Sequence, residues 1–140
     1  MLSTDVIQKA LLITKDNELL VIRRGETDDR RPLQWDLPGG YLDKDEELDH
    51  GIIREIKEEV GIAVESVKTI YALTEHNKWD GGEANTVRMF YSARVEKQDI
   101  ELSWEHDKYQ WVKLVESVAL FQHEPLIEAL LYIIDNKVEL

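Results

Sequence analysis

The 140-residue chain is 43% hydrophobic and 33% charged, with 7 Gly, 3 Pro and no Cys, which suits one globular domain with its own core and excludes disulfide frameworks, thiolate metal sites and cysteine nucleophiles. Seventeen Lys and Arg against 29 Asp and Glu leave a formal net charge of −12, a surface that repels nucleic acid but admits a small phosphorylated ligand reached through a divalent cation. No apolar run nears the roughly 20 residues of a membrane span, and the first residues lack a signal peptide's basic start and apolar stretch, so a soluble, cytoplasmic protein is expected, with neither nucleic-acid nor membrane partner.

Residues 5–14 and 18–23 are apolar runs separated by Lys15-Asp16-Asn17, which predicts two strands joined by a turn. Residues 24–34 mix Arg24, Arg30 and Arg31 with Glu26, Asp28 and Asp29 and contain Pro32, so a loop is predicted. With Arg23, its arginines are the one basic concentration in the chain, a phosphate contact unless the neighbouring acids cancel them into a solvated loop. Trp35-Asp36-Leu37-Pro38-Gly39-Gly40 leads into a further turn.

From Asp45 to Val60 the period becomes helical: Leu48, Ile52, Ile56 and Val60 recur every fourth residue, with Ile53 beside them. Asp43 or Asp45 is placed to cap the start, and Gly61 to end the helix. Residues 62–75 and 84–95 read as strands joined by a polar loop from His76 to Glu83, Tyr109–Val112 as a short strand, and 125–134 as an amphipathic helix that either closes the core or serves a homodimer interface. The order predicts one α/β domain spanning residues 1–140, a mixed sheet with helices on both faces.

At about 100° per residue, Glu55, Glu58 and Glu59 share one helix face, and Lys57 points nearly opposite Glu55. Like charges three and four residues apart cost an exposed helix about 0.2–0.5 kcal/mol per pair. Either water screens them, or a hard cation such as Mg2+ or Mn2+ gathers them. Gly51, one turn before Glu55, costs about 0.5–1 kcal/mol relative to Ala in mid-helix. It either leaves room for a ligand or allows close packing.

The whole stretch, Gly40-x5-Glu46-x7-Arg54-Glu55-Ile56-Lys57-Glu58-Glu59-Val60-Gly61-Ile62, resembles the signature of the Nudix hydrolases position by position. Its seven fixed letters are Gly40, Glu46, Arg54, Glu55, Glu58, Glu59 and Gly61; Ile56 and Ile62 fill the aliphatic slots. That resemblance implies an α/β/α sandwich and Mg2+- or Mn2+-dependent hydrolysis of a nucleoside diphosphate derivative. It makes Glu55, Glu58 and Glu59 metal ligands, with the Gly39 or Gly40 carbonyl as a further one, and has Arg54 and Glu46 holding those carboxylates in place. Glu58 is a candidate general base. The segment Glu105-His106-x2-Tyr109-x-Trp111-Val112 is similar to one in many members, so Glu105 is an extra ligand, the base, or an ordinary loop acid. His106 reads as structural.

Trp79 and Trp104 are candidates for stacking on a nucleobase, Arg24 for a substrate phosphate, and Trp35 and Trp111 for the core. Family markers narrow the substrate. No Pro lies between Pro38 and Pro125, Asn77-Lys78-Trp79-Asp80 lacks the tyrosine of dinucleoside polyphosphate hydrolases, and no Ser-Gln-Pro-Trp sequence occurs. By elimination a (deoxy)nucleoside triphosphate is preferred, with nucleotide sugars, ADP-ribose-type diphosphates and a non-catalytic nucleotide-sensing module as alternatives.

Overall fold

The first two strands form as the apolar runs predict, and the turn between them works because Asn17 takes a left-handed φ of 59°, which Asn tolerates better than most residues. In the computed structural model, which describes residues 2–140, these are β1 (Leu2–Ile13) and β2 (Glu18–Arg24). They pair at the turn, Ile13 opposite Leu19, and then part.

The segment that follows the arginine loop fills the gap. β3 (Trp35–Asp36) joins β2, with Asp36 opposite Ile22, while β4 (Gly39–Tyr41) joins β1, with Gly39 opposite Lys9. Between them Leu37 is fully buried and the Pro38 carbonyl accepts the Ala10 N–H at 2.8 Å. One short segment thus zips onto both diverging strands, and the residues at the split (Lys9, Arg24, Asp36, Gly39 and Gly40) are brought together by topology.

The remaining sheet is β5 (Lys68–Trp79), β6 (Gly82–Arg94) and β7 (His106–Lys113). β6 runs parallel to β1, β5 antiparallel to β6, and β7 antiparallel to β2, giving the expected mixed sheet. Two sequence expectations change. Residues 61–67 are irregular and β5 starts only at Lys68. The polar segment 76–83 is also no loop: β5 and β6 continue through it to a tight turn at Asp80-Gly81, where Gly81 has φ 94°. β5 is mostly exposed, so polar side chains do not prevent its backbone from pairing, and a two-residue turn with glycine at positive φ suits a hairpin.

Both faces of the sheet are covered, and for that reason β1 and β2 are nearly continuous apolar runs. Leu11, Ile13, Leu19 and Val21 pack with Leu126, Ala129, Leu130 and Ile133 of α3 (Glu124–Asp135). Ala10, Leu12, Leu20 and Ile22 pack with Ile52, Ile56 and Val60 of α1 (Leu48–Val60). The apolar stripe of α3 closes the core. Trp35 and Trp111 lie against these two clusters as expected. A short helix, α2 (Leu114–Ser117), and a 3-10 turn at Val118–Leu120 lead from β7 to α3. Among the described residues, no helix is long and apolar enough to cross a membrane.

α1 starts three residues later than the periodicity predicts. Asp45 takes a left-handed φ of 63° and cannot join it, and neither Asp43 nor Asp45 caps it: Glu47 stands at the cap position without a side-chain bond. The other end is as expected, with Gly61 at φ 75° donating to the Lys57 carbonyl at 3.1 Å.

Candidate active site

The carboxylate face of α1 is organised by one cation. Arg54 grips Glu46 with two parallel bonds, Nε to Oε2 at 2.7 Å and Nη2 to Oε1 at 2.9 Å. Its Nη1 donates to Glu55 and to Glu58, each at 3.1 Å. Asp43 adds a looser contact at 3.4 Å. Arg54 therefore supplies part of the offset that the clustered charges require, at Glu46, Glu55 and Glu58 but not at Glu59. In return the Arg54 hydrogen bonds, with the Asp43 N–H, hold the Glu46 carboxyl down at about 2, so Glu46 stays ionised and locked.

Burial separates the three neighbouring glutamates. Glu58 has an exposed side chain, whereas Glu59 is 8% exposed. Among the described residues its carboxylate accepts one hydrogen bond, from the Gly39 N–H at 3.3 Å. Desolvation pushes its carboxyl up to about 8, against the pull of Lys9 and that N–H. Glu55 is shifted upward too, by burial against the opposing pull of Arg54. Buried carboxylates short of partners call for a positive charge.

The glycine turn supplies the rest of this wall. Gly39 has φ 150°, and a Cβ there would fall 1.8 Å from the Gln8 carbonyl. A Cβ on Gly40 would fall 2.8–2.9 Å from the Glu55 carboxyl atoms, so the glycine lets main chain lie against that carboxylate. The donors gathered here are all hard oxygens, which suit Mg2+ or Mn2+. Among the described residues no three acidic or imidazole groups already stand as a closed cage, and Arg54 shares Glu55 and Glu58 with whatever binds.

Glu55, Glu58, Glu59, Gly40 and Glu105 line a cavity of about 560 Å³, whose lining also includes Lys9, Arg24, Arg30, Arg31, Arg88, His106 and His123. Arg24 and Arg31 are therefore turned inward, while Glu26, Asp29 and Arg30 stay exposed and Arg23 pairs with Asp107 at 2.8 Å outside the cavity lining. Asp36 is fully buried and gathers Arg24 at 2.9 Å, Lys9 at 3.1 Å and Arg31 at 3.7 Å. Arg24 also binds Asp28 at 2.6 Å. Arg88 pairs with Glu75 across the β5–β6 pair.

Asp36, Lys9, Arg88 and His123 are site residues that the sequence reading passes over. Arg88 and Lys9 sit inside apolar strands, where alternation masks a charge, and His123 stands alone before α3. The one available signal was Lys9 itself, a charge in the middle of a buried strand. His106 lines the cavity with its Nδ1 buried and unbonded, and burial depresses it to about 4, so it is a neutral ring at the site. The aromatic candidates lie elsewhere. Trp79 packs against Gly82 at the hairpin end, Trp104 is 88% exposed, and neither lines the cavity.

Residues 7–131 match the family model of the NUDIX domain. The chain belongs to the Nudix family. It is 42% identical over 55 residues to a MutT-like protein of Streptomyces ambofaciens, covering 39% of this chain and 32% of that one. It is 34% identical over 70 residues to an RNA pyrophosphohydrolase of Novosphingobium aromaticivorans, covering 50% of this chain and 42% of that protein. The matches thus span less than half the length of either relative. The crystal structure of the MutT protein from Methanosarcina mazei Go1 superposes with a TM-score of 0.75 at 24% identity, over 96% of both chains, a likeness of fold. The mixed α/β sheet of this Nudix chain, and the loop–helix–loop that carries its signature, agree with that relationship.

Proposed function

We propose that this protein is a Nudix hydrolase that cleaves a phosphoanhydride bond in a nucleoside diphosphate derivative, by preference a (deoxy)nucleoside triphosphate. The reading rests on one observation: Gly40, Glu55, Glu58 and Glu59 line a single cavity together with Lys9, Arg24 and Arg31. Gly40, Glu55, Glu58 and Glu59 would hold the divalent cation. When bound, it neutralises phosphoanhydride oxygens and activates the attacking water as a Lewis acid.

The chain's own groups do the rest. Arg54 fixes the carboxylates in register, and Arg24 meets the substrate's phosphates as a charge-assisted donor. Water attacks phosphorus in line, a P–O bond breaks, and a carboxylate takes the water's proton. Glu58, at the exposed end of the cluster, is the first candidate for that base, and Glu105 on the cavity wall is the second. The measurement is pyrophosphate or phosphate release from a panel of nucleoside triphosphates, nucleotide sugars and ADP-ribose, in Mg2+ and then in EDTA. Turnover that EDTA and Glu58→Gln both abolish is expected. No turnover on any member, with Mg2+ uptake intact, would favour the nucleotide-sensing alternative.

A further inference from the structure

β5 is the outermost strand on its side of the sheet, and among the described residues nothing pairs with its outer edge. The ladder fixes what that edge presents. The Val95 N–H reaches the Ile13 carbonyl of β1 at 3.1 Å, so odd residues of β6 turn their backbone groups to β1 and even ones to β5. The odd residues of β5 from Tyr71 to Trp79 stand opposite those even ones. Ala72, Thr74, His76 and Lys78 therefore direct their N–H and C=O groups outward, with no strand to meet them.

A long bare edge is ordinarily blunted by proline, a bulge or charge. Here the bulge lies between Thr69 and Tyr71, before this stretch, and residues 72–79 contain no Pro. Their two formal charges are met inside the chain: Glu75 pairs with Arg88, and Lys78 stands 3.9 Å from Glu83. Residues 72–79 are thus neutral in a chain of net charge −12, so a second, like-charged copy can approach along them without adding repulsion there.

This edge is also self-complementary. About a two-fold axis at His76, an antiparallel copy sets His76 opposite His76, Thr74 opposite Lys78, Glu75 opposite Asn77 and Leu73 opposite Trp79. Hydroxyl and carboxylate acceptors then face donors, and the Trp79 ring, 58% exposed, gains an apolar neighbour. An axis one residue earlier would oppose two Glu75 carboxylates. We propose that the protein forms a homodimer in which β5 of two copies pair antiparallel about His76, Thr74, His76 and Lys78 exchanging backbone hydrogen bonds across the axis.

The experiment is sedimentation equilibrium of the whole protein. The 16.3 kDa monomer should give way to a species of twice that mass as concentration rises. His76→Pro removes an outward N–H, a change that an edge strand tolerates, and should weaken dimerisation by about tenfold or more. His76→Ala keeps the backbone pairing and should leave the dimer in place. Because His76→Pro need not fold, a second variant reads the register. The chain has no Cys, and His76→Cys would set two thiols opposite one another at the roughly 5.5 Å Cα separation of a hydrogen-bonded pair, which a disulfide spans. Mild oxidation should cross-link His76→Cys but not Lys78→Cys, whose thiol would face Thr74. A monomer at every concentration, a dimer that folded His76→Pro leaves intact, or equal or absent cross-linking of the two cysteine variants would overturn the interface.

Discussion

Gly40 and Glu55 are in contact across the junction of β4 and α1: the space a Gly40 side chain would fill is taken by the Glu55 carboxylate, 2.8 Å from the position of a β-carbon. Gly40→Ala should therefore displace Glu55 rather than disturb the core. The expected result is a loss of Mn2+ or Mg2+ affinity of roughly 10–100-fold, the range seen when a supporting contact of a ligand is removed. The melting temperature should change little. Metal titration beside thermal unfolding checks both, and unchanged affinity would remove Glu55 from the proposed cation site.

Arg54 meets four carboxylates, and only Glu46 receives two parallel bonds. A lysine ammonium cannot hold Glu46 in both bonds while reaching Glu55 and Glu58. Arg54→Lys should cut turnover by about 10-fold or more while keeping the net charge. The pH dependence carries a second signature. The Glu46 carboxyl sits at about 2 in the folded protein, below its ordinary 4.5, so it contributes stability above pH 4.5 that is lost as pH falls toward 2. Arg54→Gln should flatten that part of the acid-unfolding profile.

The carboxylate wall is legible in the sequence because it lies on one helix, where spacing and geometry are the same thing: Glu55, Glu58 and Glu59 had to share a face. The cationic part of the lining is not. Lys9, Arg24, Arg31, Arg88 and His123 come from five segments, and each has a bland local reading, such as Arg31 beside Asp28 and Asp29. What joins them is the parting of β1 from β2, visible only when Trp35–Tyr41 is seen filling the gap. The hairpin at 80–81 was hidden for a different reason. Polarity marks exposure, and an edge strand is exposed without being a loop.

His123 offers a test of that assembled lining. Burial lowers its imidazole to about 4, and Arg31 and Arg88 push in the same direction. The folded value lies below the ordinary 6.5, so as pH falls from 6.5 toward 4 the unfolded chain takes up a proton that the folded one refuses. Stability should decline across that window and level off below it. His123→Gln should remove its share of this slope and leave that of His106, which burial depresses to the same range, read from urea midpoints at several pH values. An unchanged slope would mean that His123 titrates normally and does not feel the arginines.

Gly51 separates the two readings that its sequence position left open. A Cβ there would meet Gln8 Oε1 at 2.6 Å, Leu42 Cδ1 at 2.7 Å and Glu46 Oε1 at 2.9 Å. Close packing, not ligand room, explains the glycine. Two of these neighbours do not yield easily. Gln8 is buried and donates to the Leu48 carbonyl at 2.6 Å and the Tyr91 hydroxyl at 2.8 Å, and Glu46 is held by Arg54. Alanine would gain about 0.5–1 kcal/mol of helix propensity, but overpacking a tight site costs typically 1–3 kcal/mol. Gly51→Ala should therefore destabilise the protein on balance. Because the displaced neighbour is Glu46, it should also lower turnover through Arg54. A more stable Gly51→Ala variant would show that Gln8 and Leu42 can move aside.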